Sequence, residues 1–235
     1  KSFERASEIN PEIAYNLGNI IQTKMRLCDW DNYPEILDEL KRRLRNNEMA
    51  ILPFHMLYTI DDPYLQKKAS VIYINDSFPE NNVLPKIKLY LGHSKIRIGY
   101  FSADFRDHPV ALLTAELYEM HDRSQFEVHA FSFGPDTQDE VNLRIKEGVD
   151  HFHDVNKISN TDIVMLARSN EIDIAIDLGG FTENSRTGIF AMRAAPIQAS
   201  YIGMLGTMGA SYYDYLLAGE GMIPVESQQN YVEKI

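Results

Sequence analysis

From Lys95 onward the sequence repeats one pattern: a short apolar run, a polar or glycine-bearing loop, then apolar residues at helical spacing. The runs begin with Ile96, Ile98, Tyr100 and Phe101. They return at Phe126 to Phe133, Ile172 to Leu178, Ile197 to Ile202 and Tyr215 to Ala218, and the more polar Asp150 to Val155 reads as a further short strand. Between them lie helical stretches ending near His121, running from about Asp139 to Lys146 and from Ser159 to Ser169, and passing through Phe190 to Met192. Strands alternating with helices are the signature of a parallel sheet. The run IDIAIDL, rich in β-branched residues, reads as a central strand. The fold class is therefore α/β and Rossmann-like, with right-handed crossovers expected. No GxGxxG follows the first strand, which disfavours a simple dinucleotide-binding domain.

The polar residues crowd just after the first strand. In KIRIGYFSADFRDHPV, residues Ser102, Asp104, Arg106, Asp107 and His108 fall between the apolar run and Pro109. Proline suits a first helical position, where its missing N–H costs nothing. Val110, Leu113 and Leu117 continue the helix. The cluster thus sits beyond the carboxyl end of a strand and at the mouth of a helix, where open α/β sheets place ligands. A histidine can serve as a general base and a nearby carboxylate can orient it. Helix capping is the structural alternative for His108. His151 and His153 alternate along one run and share a face, but the pattern supplies no third or fourth metal ligand, so no metal site is expected.

The residues before Lys95 read as helices. Ser2 to Glu8 is ended by Asn10-Pro11. A helix is expected from about Glu12 to Leu27, another from Tyr33 to Arg45, and a third from Asp62-Pro63 to about Ile74. Pro53 is expected to break any helix between Ala50 and Ile60. The basic run at the end of the Tyr33–Arg45 helix suits the helix dipole. INPE followed by AYNLGNII resembles the junction of two tetratricopeptide repeats, with an unrelated helical hairpin as the alternative. Ser77 to Pro85 is turn-rich. The division is drawn there, giving a helical, repeat-like segment and linker over 1–85 and the α/β part over 86–235.

The formal net charge of −11 argues against nucleic-acid backbones and anionic membranes as partners. No stretch reaches the ~18 apolar residues of a membrane span. One cysteine, Cys28, leaves no internal disulfide and suits a reducing, cytoplasmic compartment. Packing is the reading for Cys28 itself.

Three blocks in fixed order carry a resemblance. They are SADFRDHPV; then Asp177-Leu178-Gly179-Gly180-Phe181-Thr182 with Arg186 and Phe190 to Gln198; then Gly203 to Ala210 with Asp214-Tyr215. Together they resemble the catalytic region of the O-linked N-acetylglucosamine transferases, the family that includes the SPINDLY-like proteins. The resemblance implies the amino-terminal half of a two-domain GT-B glycosyltransferase. It implies transfer of N-acetylglucosamine from UDP-GlcNAc to protein serine or threonine hydroxyls, with inversion and with no cofactor or metal. It maps His108 and Asp104 onto the catalytic site. Pro109, Val110, Gly180, Thr182, Arg186, Gly203, Gly206 and Thr207 fall on the sugar and acceptor side, with His55 beside the cleft. The expected partners are a protein or peptide acceptor, the nucleotide-sugar donor, and a carboxyl-terminal nucleotide-binding half for which no second α/β pattern follows Asp214. The family usually has asparagine at the place of Gly179 and often proline at that of Leu205. Three alternatives stay open: another nucleotide sugar such as GDP-fucose, a nucleotide-sugar epimerase half, or a non-catalytic module that binds peptides.

Overall fold

The computed structural model describes residues 1–235, which cluster into two units. One comprises Lys1–Pro79 with the short segments Gly206–Ala210 and Pro224–Val232; the other holds the remainder. The first unit is helical: α1 (Ser2–Ile9), α2 (Asn16–Arg26), α3 (Tyr33–Arg45), α4 (Pro53–Met56) and α5 (Pro63–Ser77). The third helix has the limits its apolar stripe predicts. The second starts four residues later than expected, because Asn10 Oδ1 accepts from the Glu12 N–H (3.0 Å) and Tyr15 turns into the left-handed region at φ 61°. Pro53 does not break a helix but opens α4 at its first turn, where no N–H is needed. Asp62 caps α5 by accepting from Leu65 N at 3.1 Å. The buried faces meet in a core of Ile21, Leu40, Leu44, Ile51, Met56 and Leu65. Each such side chain contributes about 1.5–3 kcal/mol.

In the second unit the six expected runs become strands β1 (Ile96–Ser102), β2 (Phe126–Ser132), β3 (His151–Asp154), β4 (Ile174–Asp177), β5 (Ile197–Tyr201) and β6 (Tyr215–Leu217). The intervening helices are α6 (Pro109–Met120), α7 (Glu140–Gly148), α8 (Asn160–Ser169) and α9 (Gly188–Ala191). All six strands lie in one parallel sheet of order β3-β2-β1-β4-β5-β6. Both faces are covered, as parallel sheets require. On one, Tyr100, Val128 and Ala130 pack with Ala115 and Tyr118 of α6 and Ile145 of α7. On the other, Phe101 stacks on Phe131 at 4.5 Å and meets Phe190 of α9 edge-on at 5.5 Å.

The block Phe190 to Gln198 does structural work. Gln198 is fully buried; its amide donates to Phe190 O (3.0 Å) and Tyr212 O (2.7 Å) and its oxygen accepts from Ala194 N (2.8 Å). Arg193 forks onto both oxygens of Asp214 at 2.8 Å. Backbone groups that the loops leave unpaired are thereby satisfied. No helix is long and apolar enough to cross a membrane.

Candidate active site

Strand order reverses at β1, which pairs with β2 on one side and β4 on the other. The loops after β1 and β4 both leave the sheet there at its carboxyl ends, where open α/β sheets place ligands. Because β1, β4 and β5 are parallel, the junctions after Phe101, Leu178 and Ile202 open on the same edge of the sheet.

The loop after β1 is built from its own side chains. Buried Ser102 turns the chain by accepting from Asp104 N at 2.9 Å. Asp104 is nearly buried, and its Oδ1 accepts from Arg106 Nη2 at 3.0 Å. The other carboxylate oxygen lies 3.8 Å from His108 Nδ1, beyond hydrogen-bond reach. His108 is the N-cap of α6, with Nδ1 accepting from Val110 N at 3.3 Å, and Pro109 is the first helical residue. With Nδ1 accepting, Nε2 bears the ring hydrogen and is a donor. A third of the side chain is exposed. Capping and a site role are therefore compatible in one residue, since they use different nitrogens.

The amino end of α7 holds this loop from the side. Fully buried Asn142 donates to Phe105 O at 2.6 Å. Asp139 caps α7 through Asn142 N (2.9 Å) while also accepting from Asp107 N (3.0 Å) and Thr137 Oγ1 (2.5 Å). These donors, Thr137 foremost, pull its carboxyl down to about 2.

The loop after β4 turns on Asp177. One oxygen accepts from Gly179 N (2.9 Å) and Gly180 N (3.2 Å), the other from Tyr213 Oη (2.5 Å). Burial pushes this carboxyl above the usual range, against the pull of the three donors, and burial also holds the Tyr213 phenol well above its ordinary value. Gly180 takes φ 59°, a conformation glycine adopts without penalty. Gly179 has no such need: a Cβ there would meet nothing closer than 3.5 Å. Thr182 Oγ1 donates to Gly179 O at 2.8 Å. Gly203, after β5, presses on the Leu178 carbonyl so closely that a Cβ would fall 2.0 Å from its oxygen.

The sheet unit thus brings Asp104, His108, Gly180, Thr182 and Gly203 on loops, and Pro109 and Val110 at the start of α6, to one sheet edge. Arg186 is on the same β4 loop, with its guanidinium donating to Asn160 Oδ1 (2.7 Å), Ile158 O (2.8 Å) and Val155 O (3.4 Å). His55, Gly206 and Thr207 belong to the helical unit. His55 Nδ1 is buried without a partner there, and burial, then the Arg26 charge, lowers its basicity. Thr207 Oγ1 accepts from Gly209 N (3.1 Å) and Val232 N (3.2 Å). Sequence reading missed Asp177, Tyr213, Asp139 and Asn142 as the residues that shape the loops. The Asp-x-Gly-Gly spacing after a strand was the available signal for the first, since aspartate organises turns by accepting from amides two residues on.

The family model described as Glycosyl transferase family 41 matches residues 27–235. The chain is 32% identical over 232 residues to the probable UDP-N-acetylglucosamine--peptide N-acetylglucosaminyltransferase SEC of Arabidopsis thaliana, covering 92% of this chain and 24% of that protein. Against the Caenorhabditis elegans UDP-N-acetylglucosamine--peptide N-acetylglucosaminyltransferase it is 28% identical, covering 89% of this chain and 20% of the relative. A mutant O-GlcNAc transferase of Thermobaculum terrenum superposes with a TM-score of 0.73 at 26% identity, over 99% of this chain and 45% of that one. The chain therefore spans about a quarter or less of these curated relatives and under half of the solved one.

Proposed function

The chain belongs to glycosyl transferase family 41, and on that premise we propose that it forms the acceptor-side half of an enzyme moving N-acetylglucosamine from UDP-GlcNAc to serine or threonine hydroxyls of proteins, with inversion. The observation that carries this reading is that the His108 loop after β1 and the Gly180 loop after β4 leave neighbouring strands at the switch point of the sheet. Transfer requires an acceptor hydroxyl to be aimed at the sugar carbon, its proton to leave late, and charge to build on the departing phosphate. His108 supplies an Nε2–H donor at the mouth of α6, anchored through Nδ1. That favours a hydrogen-bonding, steering role in this conformation, with the proton passing to another group such as a donor phosphate oxygen. Asp104 and Arg106 pair at 3.0 Å and set the loop from which His108 projects. Gly180 and Thr182 after β4, Gly203 after β5, and Pro109 and Val110 at the start of α6 are the residues assigned to the sugar and acceptor side.

The donor's nucleotide is assigned to a second Rossmann-like half outside these 235 residues. The reading is supported by the share of the solved relative that the chain covers. The single cysteine fits a reducing, cytoplasmic setting. The test is His108→Ala in an enzyme that carries both halves, beside Asp104→Asn. kcat should fall on the order of 10²-fold with little change in KM for the donor, because a group that steers the hydroxyl acts mainly in the transition state. Loss of the cap alone would cost about 1 kcal/mol of stability and leave turnover intact. Near-normal kcat in a folded His108→Ala enzyme removes His108 from the reaction.

A further inference from the structure

A second cluster of chemistry-bearing side chains lies on β2 and β3, away from the loops just described. Glu127 and His129 are two apart on β2 and so share a face, and His129 is in register with His151 on β3. Glu127 Oε1 lies 3.0 Å from His129 Nε2 and 3.2 Å from His151 Nε2. One donor atom from each of the three residues falls within 4.8 Å of the other two. The edge of a tetrahedron with ~2.05 Å bonds is about 3.3 Å, so two of the three separations already match four-coordinate zinc. The third closes by rotation of His151, whose side chain is half exposed.

Two further features suit a metal. His129 is almost fully buried, and its other nitrogen, Nδ1, is 3.1 Å from His153 Nε2. A metal-binding imidazole characteristically uses its free N–H on such a partner, which fixes the tautomer and aims the ligating lone pair. The second Glu127 oxygen faces Arg97 Nε at 3.7 Å, which leaves Oε1 turned toward the histidines. Two imidazoles, one carboxylate and a solvent-facing fourth position form a ligand set that takes zinc and similar divalent ions.

The geometry points to a divalent transition-metal site formed by Glu127, His129 and His151, with His153 as the positioning residue behind it. β3 has four residues and an unpaired outer edge in the sheet. An ion held by both strands would clip this short edge strand to β2, a structural role separate from glycosyl transfer. The test is calorimetric titration of the EDTA-treated, untagged chain with Zn²⁺ alone, followed by Co²⁺ absorption spectroscopy. One equivalent should bind, raise the melting temperature, and with Co²⁺ give the visible bands of four-coordination. Glu127→Gln and His151→Ala should each weaken binding at least ~10-fold, and His153→Phe about 10-fold through His129. Cys28→Ala should bind as the parent does. The inference is overturned if no stoichiometric binding occurs, if His151→Ala and Glu127→Gln retain parental affinity, or if Cys28→Ala abolishes it. His151 is exposed at the start of β3, so its variant retains the fold and the comparison holds even if His129→Ala does not fold.

Discussion

Asp177→Ala would remove the acceptor for two buried backbone amides and one buried phenol. An orphaned buried donor costs about 1–3 kcal/mol, so the two amides alone amount to about 2–6 kcal/mol. Alanine also removes a carboxylate that burial disfavours, which returns roughly 1–2 kcal/mol. Taking the middle of each range, a net loss of about 2.5 kcal/mol is expected, which is roughly 5–10 °C in melting temperature for a unit of this size. Asp177→Asn keeps the oxygen that receives both glycine amides, and its NH₂ can donate to a turned Tyr213 hydroxyl, so at neutral pH it should lie within about 1.5 kcal/mol of the parent. The two variants also differ from the parent in pH dependence. Asp177 has a raised folded pKa, against about 3.9 unfolded, so its contribution is greatest below that value and is lost as pH rises through the folded one. Asparagine lacks this loss, so the Asn variant should gain on the parent as pH rises above about 4. Guanidinium unfolding followed by circular dichroism at fixed ionic strength measures all three proteins. A loss below about 1 kcal/mol for alanine would show that the loop's amides do not depend on Asp177. A parent-to-Asn gap that stays flat with pH would refute the raised carboxyl.

Other expectations are as direct. Gly203→Ala places a methyl into the Leu178 carbonyl and should cost about 1–3 kcal/mol while shifting the β5 loop, read by thermal unfolding and by the chemical shifts of Gly179 and Gly180. Asp139 has a folded pKa of about 2, below its unfolded value, so its contribution is present above about pH 4 and lost toward pH 2. The Tm gap between parent and Asp139→Asn should therefore shrink across that window, and a constant gap would contradict the assigned donors. The 235-residue chain alone should bind UDP with a Kd weaker than roughly 1 mM by calorimetry. Micromolar affinity would place a complete nucleotide site within these residues.

Most of what was legible in the sequence was local. The apolar runs of β1, β2, β4 and β5 mark strands because an inner parallel strand is buried on both faces, while the edge strands β3 and β6 are partly exposed. Pro109 after a polar residue marks a helix start because proline's fixed φ suits that one position. The three motif blocks point to the family, and the strand-then-loop order places His108, Gly180 and Gly203 at carboxyl strand ends. The helix starting at Asn16 instead of Glu12, and Pro53 opening a helix instead of breaking one, show where local signals ran out: turn conformation at Asn10 and Tyr15 decided the first, and the extended backbone of Leu52 just before Pro53 the second.

Only tertiary structure could decide which partner each polar atom takes. Nothing in the spacing of Asp104 and His108 revealed that Arg106 holds the aspartate while a backbone amide holds the histidine. The sequence separates Asp177 from Tyr213 by 36 positions, yet burial of the carboxylate requires a donor, and the β5–β6 connection delivers it. His151 and His153 lacked a third ligand along their own strand; register with β2 brought His129 and Glu127 beside them. The physical reason is common to all three cases. Hydrophobic burial is non-directional and proportional to area, so its periodicity survives in one dimension. Hydrogen bonds and metal ligation depend on distance and angle between residues remote in the chain, and those exist only once strand order and register are set.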